Sequence, residues 1–242
     1  MMTGICSMTV YATEDASPPI PAHTATYDVL RKGSKIGEVN VRLERLDNGV
    51  WYYRTSTEAT SFWARLLNLS AEESAHFVWR NGRIVMLTYH QVRRSPGRTR
   101  FLQQRADWEA GITHVSTPDG DREIPLEDNL VDPLSLRLQL AAFLAQPDKR
   151  NATHTFRLLD RDGIETKRYT YDRRDTVSVP VGCFNALRVR RIEDPDSIRT
   201  NLSWHHPGFA WMPLRILQLR KDKPLYDLQL QASSLPLTPD DC

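Results

Sequence analysis

The sequence predicts a mainly β protein: a single large curved antiparallel sheet or partly open β-barrel, with one buried central helix and one short helix. Three observations carry this reading. Turn signatures recur at Asp47-Asn48-Gly49, Asn81-Gly82, Pro96-Gly97, Asp119-Gly120 and Asp162-Gly163, and Asn-Gly or Asp-Gly tolerates the positive φ angles of a tight hairpin. Most of these turns separate runs in which apolar and polar residues alternate, as strands with one buried face require. One continuous apolar segment, ending at Leu144, breaks that alternation.

The elements follow in chain order. Residues 24–32 and 36–46 read as a first hairpin turning at Gly33-Ser34. In its second strand Val39, Val41 and Leu43 face one way and Asn40, Arg42 and Glu44 the other. Residues 50–59 form the next strand, with Trp51 and Tyr53 on one face. The alternation then stops, and residues 60–69 read as a short helix opened by a capping Thr60 or Ser61, a candidate end-cover or lid for the sheet. Strands resume at 74–80, 84–94 and 99–108, with a weaker pair at 112–116 and 122–125. Strands of about ten residues, roughly 33 Å, are long enough to curve around a core.

The central helix has its own start and stop signals. Asp132 caps it, Pro133 suits the first helical position, and Pro147 follows its end. Its charge is confined to Arg137, so protein must cover more than one face. After it come strands at 153–160, 164–171, 176–179, 184–192, 198–204, 214–219 and 225–231. No composition shift marks a linker, so residues 24–242 read as a single β-rich domain.

Residues 1–23 read as a signal-peptide remnant or a disordered lead-in. Val10-Tyr11-Ala12 looks like the small-residue end of a secretory signal, but a basic leader is missing and the apolar run is short, so the signal is incomplete. No later segment approaches the roughly 20 apolar residues of a membrane-spanning helix. The chain is not expected to be transmembrane.

Composition excludes more than it selects. The 242 residues carry 32 Lys and Arg against 30 Asp and Glu, a net charge of +2, too even for a counterion-releasing surface, so nucleic acid is not an expected partner. Cysteines occur at positions 6, 183 and 242 without CxxC spacing, which argues against a structural zinc site. Cys183 reads as a packed or partly exposed free thiol, with a Cys183–Cys242 bridge as an unsupported alternative. His205 and His206 are adjacent and would point to opposite faces of a strand, so they do not chelate together easily. Asp119, Asp121 and Glu123, like Asp160 and Asp162, sit at predicted turns, where turn chemistry accounts for them better than paired-carboxylate catalysis. No metal, cofactor or catalytic residue is assigned, and GxSxG, HExxH, GxGxxG and P-loop patterns are missing.

Several spaced residues resemble a bacterial envelope family known as domain of unknown function 3108. They are Tyr27 with Lys35-Ile36-Gly37-Glu38, Asp132-Pro133-Leu134-Ser135-Leu136, Pro180-Val181-Gly182-Cys183-Phe184-Asn185-Ala186-Leu187, Trp204 with Pro207, and Trp211-Met212-Pro213-Leu214-Arg215. The resemblance spans about residues 24–231 and implies an antiparallel β fold in a periplasmic setting. It brings no activity or site residues.

The functional expectation is a non-catalytic periplasmic protein that binds an apolar small molecule, lipid or lipid-bearing partner on the concave side of the sheet. The candidate ligand-binding set is apolar: Trp51, Trp63, Phe77, Trp79, Trp108, Leu140, Phe143, Trp204 and Trp211. The same aromatics could simply fill a core. An envelope protein interaction or structural module is the alternative, and an uncharacterised hydrolase the third reading.

Overall fold

The computed structural model describes residues 20–60 and 70–242. The short helix and lid expected at 60–69 and the leader expected at 1–12 therefore lie, but for Thr60, outside the described residues.

Turn chemistry and alternation build one 15-stranded sheet among the described residues. Its first arm is β1 (His23–Arg31), β2 (Ser34–Arg45), β3 (Trp51–Ala59), β4 (Ser70–Arg80), β5 (Arg83–Ser95), β6 (Arg98–Asp107), β7 (Ile112–Thr117) and β8 (Gly120–Pro125). A two-residue strand β9 (Leu130–Val131) leads into helix α1 (Ser135–Leu144). The second arm is β10 (His154–Asp160), β11 (Gly163–Val179), β12 (Gly182–Ile192), β13 (Arg199–His205), β14 (Pro213–Arg220) and β15 (Lys223–Ser233). Strand order runs from β8 down to β1, then from β15 down to β9, so β1 and β15 pair at the middle. Neighbours are antiparallel except β9 and β10, which are parallel.

The Asn81-Gly82 turn shows why the hairpins form where the sequence places them. Both residues hold positive φ, 51° and 71°, the geometry whose twist matches the flanking strands. The second arm departs from expectation at β11. Residues 164–171 and 176–179 belong to one strand of 17 residues, because a bulge between Tyr171 and Arg173 absorbs the change of phase. The charged run between them is not a loop: Arg188 holds Asp172 at 2.7 Å and Asp175 at 3.2 Å.

The sheet curls so that its two ends face each other without sharing a ladder. Gln104 of β6 donates to the main-chain carbonyl of Leu159 in β10 at 2.9 Å. Arg161, in the β10–β11 turn, reaches Asp119 in the β7–β8 turn at 3.3 Å. The result is an open, β-barrel-like wall around α1. Asp132 caps that helix, accepting from the amides of Leu134 and Ser135 at 2.9 and 2.8 Å. Gln139 docks the helix on the β4–β5 hairpin: its Oε1 accepts from the Ile84 amide at 2.7 Å and its Nε2 donates to the Gly82 carbonyl at 3.3 Å. Leu134, Leu138, Ala141 and Leu144 fill the space between helix and wall and are fully buried.

Cys183 and Cys242 form a disulfide, which corrects the free-thiol reading. The geometry follows from the C-terminal tail, which lies along the start of β12. The Asp240 amide donates to the Cys183 carbonyl at 2.9 Å, and the Asn185 amide donates to the Asp240 carboxylate at 2.7 Å. Gly182 permits this approach, since a Cβ there would stand 2.5 Å from the Pro239 ring.

Candidate functional site

Among the described residues, the inner face of the sheet is packed around α1 and hollow beside Ala59 and Ser70. The hollow measures about 560 Å³, with a wall that includes Val29, Ile36, Ala59, Ala71 and Tyr226. Small residues make the space: Ala59 and Ala71 sit at the ends of β3 and β4 where neighbouring positions farther along carry Tyr53, Phe77 and Trp79. Arg93, Arg94, Arg98 and Arg100 also line it, together with Glu58.

Deeper along the same face, two narrower spaces meet at Arg137. A cleft of about 120 Å³ lies between α1 and β11–β14, with Leu136, Leu140, Leu202 and Ile216 as its apolar wall and Arg191, Asn201 and Ser203 among its polar groups. A gap of about 20 Å³ adjoins Tyr27, Val39, Tyr53 and Leu228 on the other side of the same guanidinium. The Arg137 charge lies close enough to the Tyr53 phenol to act on it. Burial pushes the phenols of Tyr27 and Tyr53 up, so both remain protonated, and Tyr27 donates to the Pro213 carbonyl at 2.7 Å.

His205 borders the cleft but is committed to structure. Its Nδ1 lies 2.7 Å from the Trp211 carbonyl and its Nε2 lies 2.8 Å from the Ser203 hydroxyl. A carbonyl only accepts, so Nδ1 carries the proton and Nε2 accepts from Ser203. Burial lowers the ring pKa to about 4, partly offset by the bond to Trp211, which keeps the imidazole neutral at ordinary pH. His206 faces elsewhere and accepts from the Gly208 amide at 3.1 Å. Among the described residues no group of three His, Cys, Asp or Glu side chains is arranged to hold a metal. A further concavity, about 700 Å³ along β5–β8, mixes His90, Arg105, His114 and Glu123 with the buried Tyr89 and Val115 in its wall.

The expected ligand-binding residues fall mostly outside these spaces. Trp51, Phe77 and Trp79 are buried in the core. Trp204 is covered by the Arg215 guanidinium, 5.1 Å from its ring centre, and Trp211 by that of Arg150 at 4.2 Å. Phe143 stacks on Phe156 with centroids 5.7 Å apart. Trp108 is 43% exposed and donates from Nε1 to the Met86 carbonyl. Leu140 borders the 120 Å³ cleft, and Trp63 lies outside the described residues. Sequence reasoning missed the small residues of the hollow, which carry no local signal. It noted Arg137 only as the helix's isolated charge, which was the available clue.

An open β-barrel-like sheet wrapped on one helix, with a hollow at its open end, defines the class. A family model described as domain of unknown function DUF6134 matches residues 27–130, a stretch that runs from β1 to β9 and holds the hollow's wall apart from Tyr226. This overturns the resemblance to domain of unknown function 3108. Among solved structures, a β-barrel-like protein of domain of unknown function DUF1849 from Brucella abortus is 10% identical, with 90% of this chain and 98% of that chain covered at a TM-score of 0.55. That likeness shows the fold alone. MucB (11% identity, 91% and 55% coverage, TM-score 0.32) and a Bacteroides fragilis protein with a YmcC-like fold (11%, 90% and 97%, 0.35) are too distant in shape to carry an argument. No curated protein matches the chain. Among the described residues no helix is long and apolar enough to cross a membrane.

Proposed function

We propose that the protein is a non-catalytic binding protein of the bacterial periplasm that shelters an apolar chain, free or carried by a lipid-bearing partner, in the hollow at the open end of its sheet. The observation that carries this reading is the hollow itself: about 560 Å³ within the range of ligand pockets, with a mainly apolar wall. The Cys183–Cys242 disulfide supports an oxidising compartment, since such bonds persist outside the reducing cytosol. The alternative, strand addition by an envelope partner at the sheet edge, has less support. Edge strand β8 carries Asp121, Arg122, Glu123 and Pro125, features that discourage pairing.

An environment-sensitive apolar fluorophore tests the reading directly. Wild-type protein should bind it with saturation, and Ala71→Trp, which fills the hollow, should weaken binding by about tenfold or more while leaving the far-UV spectrum unchanged. Absence of saturable binding by the folded wild type removes the proposal.

A further inference from the structure

The charges on the inner wall are mostly paired. Arg191 grips Glu193, with Nε on Oε1 at 2.7 Å and Nη2 on Oε2 at 2.8 Å, and Glu73 lies 3.7 Å from Arg93. Arg137 is different. It is the single charge of α1, and no carboxylate among the described residues forms an ion pair with it; Glu73 and the Tyr53 phenol act on it through space. An arginine does not shed its proton in a protein, and Arg137, half-buried, keeps its charge beside an apolar wall without a carboxylate partner, which costs stability.

The space around this cation is two-sided. Its cleft of about 120 Å³ would hold about four waters' worth of volume, enough for a carboxylate or phosphate, and the Asn201 amide in its wall, which gives one hydrogen to Glu193, has a second to donate. A gap of about 20 Å³ also touches Arg137. Tyr27, Val39 and Leu228 of the gap stand two positions from Val29, Gly37 and Tyr226 of the hollow on the same three strands. Two residues along a strand are about 7 Å. Along the hollow's wall, Arg93 and Arg100 stand directly opposite each other across β5 and β6; Arg93 is offset by Glu73, and Glu58 shares the wall. The geometry points to Arg137 as the anchor for the anionic head, carboxylate or phosphate, of an amphiphile whose apolar chain lies in the hollow.

The inference rests on the carrier reading, and calorimetry separates the two. Dodecanoate, dodecyl phosphate and dodecanol share a chain and differ in the head. Wild type should bind an anion about tenfold or more tighter than the alcohol, and Arg137→Met should erase that preference while leaving dodecanol affinity unchanged. The variant should unfold in urea at or above the wild-type midpoint, because it removes a half-buried charge that has no carboxylate partner. Whichever anion binds tighter distinguishes a carboxylate from a phosphate source. Equal binding of anions and alcohol by wild type, which needs no variant, or a preference that survives in Arg137→Met, overturns the anchor and leaves the carrier intact. Failure of all three amphiphiles to bind removes the carrier reading itself.

Discussion

The Gln104 side-chain amide donates to the Leu159 main-chain carbonyl across 2.9 Å, joining β6 to β10, two strands that share no ladder. A side chain thus closes what backbone pairing leaves open. Gln104 is 1% exposed, so the bond is shielded from water. The helix is fixed in the same manner, with Gln139 taking the place of a strand neighbour for Ile84 and Gly82.

Gln104→Leu should therefore destabilise the protein, though modestly. It loses one buried bond and leaves the Leu159 carbonyl without that donor, but it also removes the Gln104 Oε1, which is buried with no partner among the described residues. The expected net loss is about 1 kcal/mol, read as a lower urea midpoint at unchanged slope. No loss would mean that the two arms are held by the apolar core alone.

Breaking the Cys183–Cys242 bond should cost more. The bridge closes a loop of 59 residues' separation, worth about 4 kcal/mol in a chain-entropy account. The tail it holds also contributes the Asp240 contacts to β12. Cys242→Ser, or wild type under reductant, should lose about 2 to 4 kcal/mol in urea unfolding. Equal stability of oxidised and reduced protein contradicts a structural role for the bridge.

Asp132 and His205 pull acid stability in opposite directions. Burial raises Asp132 to about 6 from 3.8, although the Ser135 and Leu134 bonds favour its charge. Its contribution is complete below the unfolded value and lost as pH rises through about 6. Burial lowers His205 from 6.5 to about 4, so its contribution is complete above the unfolded value and lost as pH falls through about 4. Each span corresponds to about 3 kcal/mol, and the two largely cancel. Asp132→Asn keeps the acceptor for the helix amides but does not ionise. It should be about 2 to 3 kcal/mol more stable than wild type at about pH 7, with the advantage vanishing below about pH 4. A gap in melting temperature that does not change with pH would refute the buried-carboxylate account.

The hairpins were legible because turn chemistry is local: Asn81-Gly82 and Asp47-Asn48-Gly49 announce themselves in two or three letters. The central helix was legible from Asp132, Pro133 and Pro147. The β11 strand was misread because Asp172 to Asp175 look like a loop until the outer-face partner Arg188 is known. The site was the least legible part. Tryptophan and phenylalanine drew attention by size, and size is what drives them into the core. A hollow is made by small residues, Gly37, Ala59 and Ala71, one on each of three successive strands, and no local pattern records the space between them.

Two leucines on one helix distinguish packed wall from cleft wall. Leu138 is fully buried, 0% exposed, among core residues, whereas Leu140 borders the cleft beside Arg137. Truncating Leu138 leaves a new void in close-packed surroundings, and Leu138→Ala should cost about 3 to 5 kcal/mol. Leu140 already faces open space on one side, so fewer contacts are lost and Leu140→Ala should cost about 2 kcal/mol. The widened cleft should at the same time change dodecanoate affinity, an effect Leu138→Ala should not show at temperatures where both variants are folded. Equal, large destabilisation by both substitutions with no change in binding would mean that the cleft closes in solution and that α1 serves only as a core plug.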